Sequence, residues 1–155
     1  MRIIGKVSLS FCVRLLTDAL LAANVGTLIF LPSVLSYMYD LLAESYLNME
    51  DVSFLLPFLY VCGTLTLAVL VLGHMILRTL EKGQPFDKKN PVYFRLLAIV
   101  SLMLSAAFFI KVALYGTILT IFCADLFLIF ALLSLIMSEI FRQASVIWEE
   151  HQLTI

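Results

Sequence analysis

Four ionisable side chains fall inside or at the edges of long apolar stretches of this 155-residue sequence: Asp125, Lys111, Asp18 and Arg14. Inserting such a residue at the centre of a membrane helix costs about 2.5–3.5 kcal/mol, so it is expected to be paired, neutral or functional. Asp125 is the deepest of the four, because the last apolar stretch extends on both sides of it.

The spacing of these residues predicts two ion pairs. Arg14 and Asp18 stand four residues apart and so share one face of a helix, which predicts an ordinary pair near a membrane surface. Lys111 and Asp125 flank a short turn, and an antiparallel hairpin lets Lys111 reach inward towards the acid. This second pair has two interpretations, a structural bridge between two helices or a site of proton- or cation-coupled transport.

The other polar residues follow no pattern typical of catalysis. The sequence contains no glycine-rich phosphate loop, nucleophile elbow or Cys/His metal spacing. Its three cysteines stand apart in apolar sequence, as is typical of small buried hydrophobic residues. His74 is expected to be an anchor at the level of the lipid headgroups. We therefore expect no enzyme activity, no cofactor, no metal and no direct binding of nucleic acid.

The composition is typical of an integral membrane protein. The chain is 63% apolar and 14% charged, whereas soluble domains are about 45–50% apolar and about 25% charged. Its charges lie in clusters, and the runs between them can cross about 30 Å of hydrocarbon as helices. We predict an all-α integral membrane four-helix bundle, a multi-pass protein of the cell membrane surrounded by the lipid bilayer.

A single domain over residues 1–155 is predicted, with spans at about 12–39, 54–79, 91–113 and 117–141. The first span is interpreted as a retained helix and not a cleaved signal peptide, because its apolar run is long enough to cross the bilayer. Residues 80–90 form a loop and residues 142–155 an amphipathic helical tail. The tail is predicted from an apolar stripe: Ile140, Phe141, Ala144, Ile147 and Trp148.

Basic residues set the expected orientation. They gather before and within the start of the first span and in the loop at 80–90, whereas the connection between the first two spans carries only acids. By the positive-inside bias, the N-terminus, this loop and the C-terminus are cytoplasmic. Within the loop, Asn90 before Pro91 predicts a helix N-cap followed by proline at the first helical position.

Two segments of the chain resemble a bacterial family of membrane proteins catalogued as domain of unknown function 2975. One is Leu-Arg-Thr-Leu-Glu-Lys-Gly-Gln-Pro-Phe at 77–86, followed by Asn90. The other begins Glu-Ile-Phe-Arg at 139–142 and closes Glu-Glu-His-Gln-Leu-Thr-Ile at 149–155. The resemblance implies four membrane helices, and a neighbouring gene that commonly encodes a small helix-turn-helix regulator.

The same resemblance implies a partner-binding surface, formed by Gly83, Pro85, Phe86, Asn90, Glu139, Leu153 and Thr154. The leading hypothesis is a non-enzymatic regulatory or anchoring protein whose partner is a cytoplasmic protein, such as a small DNA-binding regulator. The alternative is a small transporter or channel subunit that uses intramembrane Asp125. A homo-oligomer stays open, because small residues four apart serve packing between chains as well as within one.

Overall fold

The computed structural model describes residues 9–42, 49–82, 87–115 and 117–153. These residues form four helices, α1 at Leu9–Leu42, α2 at Met49–Glu81, α3 at Lys89–Leu114 and α4 at Ile118–Leu153. No strand occurs in the described ranges. Each helix contains an apolar stretch long enough to cross a membrane. The prediction of an all-α four-helix membrane bundle is therefore confirmed.

The helices extend beyond the predicted spans, and α4 extends furthest. It contains 36 residues. At about 1.5 Å per residue it is about 54 Å long, well beyond the roughly 30 Å of hydrocarbon in a bilayer. The tail predicted at 142–155 therefore continues the fourth helix without a break as far as Leu153.

Small and polar residues form the seam between α3 and α4. On α4 the buried ones stand three, four or seven positions apart and so share one face of the helix: Thr120, Ala124, Ala131, Ser134, Ser138 and Ser145. Such residues let two membrane helices approach closely. Across the seam, the Ser105 hydroxyl donates to the carbonyl oxygen of Ala124 at 2.8 Å. The Ser138 hydroxyl donates to the carbonyl oxygen of Pro91 at 2.7 Å. The α3–α4 hairpin is thus held along most of its length.

An aromatic cluster joins α2 to the α3–α4 hairpin. The Phe58 and Phe108 rings make a T-shaped contact at a centroid distance of 5.4 Å, and Phe108 stacks on Phe127 at 5.6 Å. Leu104 is completely buried beside these rings. Within the described ranges, close approaches between helix backbones join α1 to α2, α2 to α3 and α3 to α4, and no others. α1 is therefore packed against α2.

The outer surface of the four helices is apolar. Ile29 on α1 and Phe122 on α4 are each 67% exposed in the isolated chain, and many other large apolar residues are exposed with them. Soluble monomers rarely expose contiguous apolar patches larger than a few hundred Å². Together with the four helices of spanning length, this surface indicates a multi-pass membrane protein.

The prediction that Asn90 caps α3 is wrong. The helix begins at Lys89, two residues before the predicted first helical position, and the carboxylate of Asp87 accepts a hydrogen bond from the Lys89 backbone N–H at 3.0 Å. Asn90 is completely buried, and its side-chain oxygen accepts a hydrogen bond from the Thr79 hydroxyl at 2.6 Å. Because a buried amide requires hydrogen-bond partners, this contact between α2 and α3 replaces the local cap.

Candidate functional site

The beginnings of α1 and α3 and the ends of α2 and α4 lie on one side of the molecule. We call this side the basic end, because it carries Arg14, Arg78, Lys82, Lys88, Lys89, Arg95 and Arg142. Contacts between residues far apart in sequence bring the four helix termini together. Arg14 pairs with Glu81 between α1 and α2, and Lys88 before α3 pairs with Glu149 of α4.

One ion pair and one hydrogen bond between side chains join α1 to α2 near the basic end. Arg14 Nη1 pairs with Glu81 Oε2, and His74 Nδ1 lies 2.6 Å from Asp18 Oδ1. The predicted pair between Arg14 and Asp18 is therefore wrong, although the prediction that they share a helix face agrees with these contacts. That face is turned towards α2, where each residue meets its own partner. His74 faces α1 and does not act as a separate headgroup anchor.

Lys111 and Asp125 do not meet in a single chain. The Lys111 ammonium lies over the Phe58 ring, 4.9 Å from its centroid, in a cation–π arrangement. The hydrogen bond from Ser105 to Ala124 sets Asp125 level with Ser105, and Lys111 lies six residues further along α3, about 9 Å away along the helix. Asp125 itself is exposed on α4. A passage lined by Asp125 would therefore have to form between chains.

The loop and the tail meet at the basic end. The Lys88 ammonium lies 2.9 Å from the carboxylate of Glu149, which is 61 residues later in the chain. Further along the α3–α4 hairpin, the rings of Phe94 and Phe141 stack with a centroid distance of 5.1 Å. Phe141, predicted to lie on the apolar stripe of the tail, therefore packs inward against α3. Ile147 of the same stripe is 55% exposed.

The structure describes the side chains of two of the predicted partner-binding residues. Glu139 is exposed, and its carboxylate accepts hydrogen bonds from Arg142 at 2.7 Å and Gln143 at 3.0 Å. Asn90 is buried between α2 and α3, so in this conformation it belongs to the packing of the helices and not to a partner surface. Gly83, Pro85, Phe86 and Thr154 lie outside the described residues, and only the helical backbone of Leu153 is described.

Sequence reasoning missed Glu81, Thr79 and Lys88 as contact residues. A signal existed for Glu81, because it is an acid at the end of α2, opposite the basic start of α1. For Thr79 there was none, since its contact with Asn90 depends on how α2 and α3 pack. The described part of the chain contains no group of three or more His, Cys, Asp or Glu residues arranged to hold a metal ion.

Comparison with known proteins identifies the family. The family described as "Protein of unknown function (DUF2975)" matches residues 37–155, which include α2, α3 and α4 and only the last part of α1. No curated protein and no solved structure matches the chain. Because the match covers most of the sequence, the chain belongs to the family of domain of unknown function 2975. This is the family that the loop and tail motifs predicted.

Proposed function

We propose that this protein is a non-enzymatic membrane protein that binds a cytoplasmic protein partner at its basic end. The contact between Lys88 and Glu149 carries the proposal, because it joins the loop after α2 to the far end of α4. The sequence motifs typical of the family lie in these same two segments. The surface that they form together is present only in the folded chain.

The distribution of charge supports a cytoplasmic position for the basic end. Membrane proteins keep their Lys- and Arg-rich connections on the cytoplasmic side. At the opposite end, the sequence between the first two spans has acids and no basic residue, and α3 is joined to α4 within three residues. The basic end is therefore the side with enough polar surface to select a partner.

The contact between loop and tail can yield to a partner at little cost. The side chains of Lys88 and Glu149 are 73% and 53% exposed, and ion pairs at such positions contribute about 0–1 kcal/mol. A partner with complementary charges can therefore engage both groups without disturbing the helices below. A small helix-turn-helix regulator is the partner class that the resemblance implies, and holding it at the membrane would keep it from DNA.

Binding of the full-length chain to a purified small helix-turn-helix regulator, the partner class that the resemblance implies, tests the proposal. The purified chain in detergent micelles is compared with the double variant Lys88→Glu/Lys89→Glu. We expect the double variant to bind about tenfold more weakly, a difference of about 1.4 kcal/mol.

The matched control is Arg78→Glu, a charge reversal at an exposed position of the same end on α2. Because Arg78 lies within α2, outside the surface formed by the loop and the tail, this variant is expected to bind as the unchanged chain does. Binding that survives the double reversal, or that falls equally in the control, would contradict a specific surface formed by loop and tail.

The alternative function, a small transporter or channel subunit that uses Asp125, stays a prediction. Because Asp125 lies on the outer surface of α4, a transport site built on it needs more than one chain. The variant Asp125→Asn, reconstituted in vesicles, is expected to lose an ion-dependent flux if the hypothesis holds. An unchanged flux would remove Asp125 from any transport site.

A further inference from the structure

The side of α4 that points away from α3 carries an acid at membrane depth. Asp125 is exposed, and it has no ion-pair partner among the residues that the structure describes. Its depth follows from its neighbour Ala124, whose carbonyl oxygen accepts a hydrogen bond from the Ser105 hydroxyl, nine residues or about 13 Å before the end of α3. Ionisable residues at such depth almost always face a protein interior or a water-filled cavity. A single chain gives Asp125 neither.

Asp125 belongs to a straight line of exposed residues along α4. Its members are Ile118, Phe122, Asp125, Ile129, Leu132, Ile136, Ile140, Gln143 and Ile147. The steps of three or four residues average close to the 3.6 residues of one helical turn, so the members point in one direction. All the apolar members are more than half exposed. By contrast, Ala131 is turned about 200° from Ile129 and is 2% exposed in the seam with α3.

We propose that this line is the contact between two parallel copies of the chain, with the Asp125 side chains of the two copies hydrogen-bonded to each other. In a twofold dimer each residue near the axis meets its own counterpart, so the line must be compatible with itself. The apolar members satisfy that condition. No Lys or Arg lies on the line, so no basic residue would face its own copy.

The two polar members of the line are also self-complementary. A carboxyl group that holds a proton both donates and accepts hydrogen bonds, and so does the amide of Gln143. Two carboxyl groups at close range retain a proton between them, because two negative charges repel each other. The dimer would thus cover Asp125 and give each carboxyl a hydrogen-bond partner inside protein.

Disulfide cross-linking in membranes tests where the two copies meet. The starting chain has Cys12, Cys62 and Cys123 replaced by alanine, and single cysteines are then placed at Ile129 or Ile136 on the line. Both are expected to give a cross-linked species with the mass of two copies under mild oxidation. Matched cysteines at Phe130 and Leu135, which are exposed but turned about 100° from the line, are expected to give little.

Substitution of Asp125 tests what holds the copies together, with energy transfer between labelled full-length chains in micelles as the measurement. Asp125→Leu is expected to weaken association about tenfold, whereas Asp125→Asn should retain it, because a carboxamide also donates and accepts. Helix content should be the same in both variants.

Three results would overturn the proposal. The first is cross-linking that is equal, or absent, at all four cysteine positions. The second is a loss of association in Asp125→Asn as large as in Asp125→Leu, which would indicate a partner with a basic side chain. The third is a cross-linked species whose mass is not that of two copies.

Discussion

The α3–α4 hairpin and the α1–α2 hairpin are held together in different ways. Between α3 and α4 the buried residues are mostly small, and serine hydroxyls donate to carbonyl oxygens of the facing helix. Between α1 and α2 there are the Arg14–Glu81 ion pair and the Asp18–His74 hydrogen bond near the basic end, and a close approach of Leu28 to Gly63. The two hairpins also differ in burial. In the most apolar segment of α1, 6% of the residues are buried, whereas in the most apolar segment of α3, 28% are buried.

This difference follows from what lipid permits. Hydrocarbon gives apolar helices no hydrophobic reason to associate, so close packing and polar contacts must hold them together. The α3–α4 hairpin uses close packing, whereas α1 relies more on charges, which a membrane tolerates best near its surface. The family match begins at residue 37, after most of α1. We therefore expect α3–α4 to be the stable part of the fold and α1 the helix most easily displaced.

Placing a larger side chain in the closely packed α3–α4 seam should cause the largest loss of stability. In Ala124→Leu, three additional carbons must fit at a residue that is 0% exposed, and we expect a loss of about 3 kcal/mol in the free energy of unfolding. Unfolding in mixed micelles by titration with a denaturing detergent measures it. Ala106→Leu, at an exposed position of α3, is the matched control and should change stability by less than about 0.5 kcal/mol. Equal losses would show that the seam is not closely packed.

The buried hydrogen bond between α2 and α3 should come next. Thr79→Val keeps the side-chain shape but leaves the Asn90 oxygen without its Thr79 donor, which is expected to cost about 1–3 kcal/mol. The same unfolding titration checks this value. Thr64→Val is the matched control, because the exposed Thr64 hydroxyl donates to a carbonyl of its own helix. If both variants lose equally little, Asn90 does not link α2 to the hairpin.

The sequence was sufficient to predict the four helices, their membrane setting and the helical tail. Long apolar runs predict the four helices and their membrane setting, because a backbone in lipid must satisfy its hydrogen bonds within the helix. The helical spacing of apolar residues beyond Glu139 predicts the helical tail. The loop motif around Phe86 and the ending Leu153-Thr154 also predicted the family correctly.

The contacts of individual polar residues could not be predicted from sequence. Local spacing placed Arg14 and Asp18 on one face, but which residues stand opposite depends on the register of α1 against α2. Glu81 is 67 residues from Arg14, so no local pattern connects them. Asn90 matched a capping pattern, yet its burial between two helices decided its partner. Tertiary packing thus overruled local spacing in both cases.

Neutralising one ion pair of α1 should have a moderate effect. Arg14 and Glu81 are 31% and 19% exposed, so water screens the pair in part, and we expect a coupling free energy of about 1 kcal/mol. A double-mutant cycle with Arg14→Gln and Glu81→Gln measures it, since the double variant should lose less than the sum of the two. Arg78→Gln, at an exposed position of α2, should show no coupling to Arg14→Gln. Additive losses would mean that the pair does not hold α1.

Removing one hydroxyl from the α3–α4 seam should have the smallest effect. Hydrogen bonds between membrane helices contribute about 0.6 kcal/mol on average, and we expect that loss for Ser138→Ala, which removes the bond to the Pro91 carbonyl. Ser134→Ala is the control, because the Ser134 hydroxyl donates to Phe130 of its own helix and should matter less. The same titration ranks both against Ala124→Leu. A loss at Ser138 larger than that at Ala124 would mean that hydrogen bonds, and not close packing, distinguish this hairpin from α1–α2.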